Sequence, residues 1–105
     1  MSGRPDEQRD DGVLLATRRR VKRPDMFHVV MHNDDYTTQE LVIEILCGFF
    51  HRSETEARTI MLTVHTKGKG VAGTYARDIA ESKAAQVTDY ARANGAPLRL
   101  TVEAS

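Results

Sequence analysis

At 105 residues and 40% hydrophobic composition, the chain is long enough for one domain with a modest core and too short for two. No apolar run approaches the ~18 to 20 residues that cross a bilayer, and the start lacks a signal peptide's apolar centre, so a cytoplasmic protein without a membrane partner is expected. Basic and acidic side chains number 15 each, but seven and five fall in the first 25 residues, which leaves the remainder mildly acidic with eight and ten. The single cysteine, Cys47, excludes an internal disulfide, and no CxxC pair or Cys/His cluster points to structural zinc.

Residues 1–25 are rich in Asp, Glu and Arg, and their only apolar patch is Val13 to Ala16, too short for a core. They are expected to form a flexible extension ahead of a domain spanning 26–105. The run RRRVKR, Arg18 to Arg23, would attract phosphate backbones or an acidic surface. It supports an alternative function, a small nucleic-acid- or ribosome-associated protein, although a solvated basic linker explains it as well.

Met26 to His32 reads as a strand. Alternation puts Phe27, Val29 and Met31 on one face and His28, Val30 and His32 on the other. Asn33, Asp34 and Asp35 then break it, because their side chains bond nearby backbone and favour turns. Thr37-Thr38-Gln39-Glu40 has the form of a capping box, and Leu41, Val42, Ile45, Leu46, Phe49 and Phe50 continue as the apolar stripe of a first helix. Ser53-Glu54-Thr55-Glu56 repeats the box, with Ala57, Ile60, Met61 and Val64 as a second stripe. His51 falls in the turn between these helices. Lys67-Gly68-Lys69-Gly70 closes the second helix, and Val71 to Tyr75 is a short strand. Arg77 to Asn94 is a third helix, ended by Gly95 and Pro97, and Leu98, Leu100 and Val102 alternate as a last strand. The fold class is therefore α+β, a compact sandwich of a three-stranded antiparallel sheet and three helices in the order βααβαβ.

Some polar groups sit where packing alone would not place them. His65 closes the second helix's apolar stripe, eight residues past Ala57. An enzymatic reading would pair Asp34 and Asp35 with His65 as acid or base, but there is no activated Ser or Cys and no phosphate-binding glycine loop. A metal reading would recruit His28, His32, Asp34 or Asp35 and His65, at a spacing that matches no EF-hand or zinc motif. The third reading is recognition of a cation. An ammonium has three donors and no acceptor, and Asn33, Asp35 and His65 supply an amide oxygen, a carboxylate and an imidazole nitrogen. Val42, Met61 and Val64 would line an apolar pocket beside it.

NDDYTTQELV, MLTVH with KGKGVAG, and DIAESKAAQVTDYARANGAPL together resemble the ClpS family, adaptors of the ClpAP protease, over about residues 26–104. The resemblance implies a non-enzymatic adaptor without metal or cofactor, which binds substrate proteins or peptides by a free bulky hydrophobic N-terminal residue (Leu, Phe, Tyr or Trp) and delivers them to the ClpA unfoldase. It assigns Asn33, Asp35 and His65 to the substrate's α-amino group and Asp34 to the first peptide bond. It assigns Thr37, Val42, Met61, Val64 and Leu98 to the side-chain pocket. Gln39 stands in that pocket where the family usually has a methionine that helps to exclude β-branched side chains, so the exclusion of Ile and Val is open. Asp78 and Lys83 fall on the surface implied to dock on the N-domain of a ClpA-type AAA+ unfoldase, and residues 1–25 on an arm implied to help transfer the substrate.

Overall fold

The computed structural model describes residues 25–105, so the expected extension and its basic run lie outside the described residues except for Asp25. Strand β1 (Met26–His32) lies between β2 (Lys69–Ala76) and β3 (Arg99–Ala104), antiparallel to both. Helices α1 (Gln39–Phe49) and α2 (Glu54–Lys67) connect β1 to β2, and α3 (Arg77–Ala93) connects β2 to β3. The expected order and antiparallel sheet are observed. No helix among the described residues is long and apolar enough to cross a membrane.

The alternation in β1 decides which face the helices cover. Val29 and Met31 are wholly buried in the core, with Phe27 packed beside it. His28 and His32 point the other way and bond Thr74 and Thr101 across the sheet, each at 2.8 Å. Thr101 has one hydroxyl proton and donates it to Glu103 Oε2 at 3.2 Å, so His32 Nε2 is the donor to Thr101. Opposite this sheet, Ile45 and Leu46 of α1, Ala57, Met61 and Val64 of α2, and Ala80, Val87 and Ala91 of α3 complete the core.

Three local details differ from the sequence pattern. The cap of α1 is Thr38, whose hydroxyl accepts from Leu41 N at 3.1 Å, and not the Thr37 of a Thr37/Glu40 box. At α2 the full capping box forms: Ser53 Oγ accepts from Glu56 N at 3.1 Å, and Ser53 N donates to Glu56 Oε1 at 3.0 Å. Strand β2 begins at Lys69, two residues before the expected Val71, because Gly70 lets the strand lie against α2. A Cβ at Gly70 would stand 3.0 Å from Val64 Cγ2. Finally, Val29 pairs with Gly73 but Val30 with Val71, so Ala72 is the extra residue of a bulge. Its carbonyl accepts from Arg52 Nε at 2.9 Å, which ties the α1–α2 turn to the sheet. In that turn His51 takes a left-handed φ of 56°.

Candidate functional site

The site begins where β1 stops. Asn33 N donates to the carbonyl of Gly68 at 2.9 Å, and Gly68 is the left-handed residue, φ 92°, that closes α2. Gly68 in turn donates to Val64 O at 3.0 Å. These two bonds fasten the end of β1 to the last turn of α2, so Asn33 and His65, far apart in the chain, border one cavity.

Asp34 folds the loop that follows. Its Oδ1 accepts from Tyr36 N at 2.8 Å and Thr37 N at 2.7 Å, while Oδ2 accepts from the Thr37 hydroxyl at 2.7 Å. Thr37 is thereby engaged and the capping role passes to Thr38. Burial pushes the Asp34 carboxyl up, but the bonds from Thr37 and Tyr36 outweigh it and hold it below its ordinary value of 3.8. The contact therefore stabilises the fold above that value, and its contribution fades as pH falls through the depressed one. We expect Asp34→Ala to cost about 1 to 2 kcal/mol near neutral pH, as loss of a helix cap does. In urea unfolding, the gap between the two proteins should narrow below about pH 4; a gap that stays constant into acid would refute the ionic origin.

Asn33, Asp35 and His65 differ from Asp34. All three are exposed, and no hydrogen bond among the described residues occupies their side chains. With Asp34, Thr37, Gln39, Val42, Met61 and Val64 they line a cavity of about 350 Å³. Its floor is apolar: Val42 is 6%, Met61 7% and Val64 3% exposed. Its other walls are polar and include exposed Gln39, the first residue of α1. Tyr36 and Thr38, which the sequence pattern did not single out, also form walls. Tyr36 lies within the Asp34 turn and Thr38 caps the helix that carries Val42, and no residue-type signal marked either as part of a site.

The other expected positions fall elsewhere. Leu98 is 1% exposed in the core and is not a wall of this cavity. Asp78 is exposed in the first turn of α3. Lys83 is half-buried: its ammonium donates to Phe49 O at 2.7 Å, at the carbonyl end of α1, and lies 5.8 Å from the Tyr75 ring centre. His28 and His32 are held on the sheet away from the cavity, and no group of three His, Cys, Asp or Glu among the described residues is placed to hold a metal ion. Asp34, Asp35 and His65 share this cavity, but the Asp34 carboxylate is taken up by Tyr36 and Thr37. What the cavity offers chemically is a set of acceptors around an apolar hollow.

A family model described as ATP-dependent Clp protease adaptor protein ClpS matches residues 22–101. The Clp protease adapter protein ClpS of Ruegeria sp. (strain TM1040) is 47% identical over 103 residues, 98% of this chain and 91% of that protein. The ClpS of Deinococcus radiodurans is 50% identical over 86 residues, 82% of this chain and 76% of that protein. Among solved structures, Agrobacterium tumefaciens ClpS2 bound to L-phenylalaninamide is similar with a TM-score of 0.76 and 41% identity, covering 79% of this chain and 100% of that one.

Proposed function

The chain belongs to the ClpS family of Clp protease adaptor proteins, and we propose that it captures substrates by a free, bulky hydrophobic N-terminal residue and delivers them to a ClpA-type AAA+ unfoldase. One observation carries this reading: three exposed acceptor side chains and an apolar floor meet in a single cavity. An N-terminal ammonium presents three N–H donors at one point. Asp35 offers it a carboxylate, Asn33 an amide oxygen and His65 a ring nitrogen. Asp34, bound up with its own loop, is the acceptor we assign to the first peptide N–H.

The first side chain then enters between Val42, Met61 and Val64. Thr37 and Gln39 edge the opening, and Leu98 backs the walls from the core. An internal leucine offers the same side chain without the cation, so the site reads a chain end and a residue type together. Burying one large apolar side chain contributes about 1.5 to 3 kcal/mol, and each charge-assisted hydrogen bond about as much. After ordering costs this gives affinity on the order of micromolar. ClpS2 bound to L-phenylalaninamide, an amine next to an aromatic side chain, supports the assignment. Delivery would use the surface bearing Asp78 and Lys83 against the unfoldase's N-domain.

Titration with peptides that differ only in their first residue tests the capture step. Phe, Leu, Tyr and Trp peptides should bind at least about tenfold more tightly than Gly peptides, a difference of ~1.4 kcal/mol; equal binding would overturn the reading. The same series tests Gln39. A flexible carboxamide at the mouth should admit Ile and Val peptides to within about tenfold of Leu, whereas strong rejection would show that another residue guards the pocket.

A further inference from the structure

Val64 lines the cavity, is itself almost wholly buried, and is backed by a residue that has no side chain. That residue is Gly70, buried in β2. A Cβ built on it would stand 3.0 Å from Val64 Cγ2, well inside the ~3.5 to 4.0 Å at which carbon atoms attract one another most. The other neighbours of that Cβ, Thr63 Cγ2 at 3.5 Å and Ile60 O at 3.6 Å, lie at ordinary contact distance, so the room at Gly70 bears on one side chain. Gly70 is not among the glycines with positive φ, and what the position uses is the missing Cβ. We propose that Gly70 sets the width of the cavity by leaving room behind Val64, and thereby admits the largest aromatic first residues. This rests on the function proposed above.

Three constraints make Val64 the part that would yield to a methyl group at Gly70. Gly70 is paired with Met31 of the central strand, whose side chain is wholly buried, so a shift of β2 would carry the sheet with it. The end of α2 is fastened through Gly68, which donates to Val64 O and accepts from Asn33 N. A β-branched side chain in a helix holds essentially one rotamer, so Val64 does not swing aside. What remains is a displacement of its methyls by a few tenths of an ångström into unfilled space, and the unfilled space at Val64 is the cavity.

The neighbouring wall residue Met61 is unbranched and can reshape around a ligand. Val64 cannot, so its position limits what fits. Narrowing the hollow at this wall penalises a first residue in proportion to its bulk: Trp most, Phe less, and Leu least.

The test uses the full chain, Gly70→Ala, Val64→Ala and the double variant, each titrated with peptides that differ only in a first Trp, Phe or Leu. In Gly70→Ala the ratio of Trp to Leu affinity should fall about fivefold to tenfold, with Phe between, in a protein that melting shows to be folded. In the Val64→Ala background, where the contacting methyl is gone, adding Gly70→Ala should change that ratio less than about twofold. A merely structural role for Gly70 would lower the melting temperature and leave the ratio unchanged, which would overturn the proposal. An equal fall in the Val64→Ala background would overturn it too, since Gly70 would then not act through Val64. So would a Gly70→Ala chain that fails to fold, because the wall would have no room to yield. If neither Phe nor Leu peptides bind the wild type, the capture reading falls, and this proposal with it.

Discussion

Acetylating the N-terminus of a Phe peptide is expected to weaken its binding at least about a hundredfold. The acetyl group removes the cation and leaves one N–H donor where there were three. Asn33, Asp35 and His65 then face a neutral amide, with at least two charge-assisted hydrogen bonds lost at about 1.5 to 3 kcal/mol each. A hundredfold corresponds to ~2.7 kcal/mol, so it is a lower bound. Raising the pH should act in the same direction. A free α-amino group has an ordinary pKa of ~7.7 to 8.0, and the cradle binds its protonated form, so affinity should decline as pH passes that range. Isothermal titration at pH 7 and 9 with free and acetylated peptides covers both. A loss smaller than threefold on acetylation would show that the apolar hollow alone recognises the ligand.

Asp35→Ala and His65→Ala should each cut affinity at least about tenfold and leave the melting temperature almost unchanged. Both side chains are exposed and bear no hydrogen bond within the described fold, and surface substitutions of that kind usually fall within ~0.5 kcal/mol of neutral. Asp34→Ala, one residue away, should lose stability as well, because three bonds converge on its carboxylate. Adjacent aspartates are thus expected to separate binding from folding. Asp35→Asn is the informative intermediate: it keeps an acceptor and loses the charge, so its deficit isolates the ionic share. Calorimetric affinity that is unchanged in Asp35→Ala would remove this residue from the amine site, and a large drop in melting temperature would assign it a structural role instead.

Much of this architecture was legible in the residues. The stripes Leu41 to Phe49 and Ala57 to Val64 are helices, the Ser53/Glu56 box is real, and Gly68 does close α2. These features depend on neighbours within one turn, where sequence and structure share a period. Where a side chain had two local partners, pattern failed. Thr37 heads a Thr-x-x-Glu motif, yet the Asp34 carboxylate takes its hydroxyl and the next threonine caps the helix. The early start of β2 at Lys69 depends on pairing with β1, and the bulge at Ala72 is tied to Arg52, neither of which a window around those residues contains. The candidate site divides in the same way. Residue types suited to an ammonium could be read directly, and the family's motifs pointed to their positions. The room that Gly70 leaves behind Val64 could not be read, because β2 and α2 meet there only after folding.

The bond from Asn33 N–H to Gly68 gives the molecule its own gauge. It bridges the two halves of the cradle, so this one amide can exchange with deuterium only when they part. A ligand held by both Asn33 and His65 keeps them together, and should slow that exchange by about the factor 1 + [L]/Kd that mass action sets. Occupancy of an unlabelled adaptor, alone or in a mixture of candidate substrates, then becomes readable from a single backbone position.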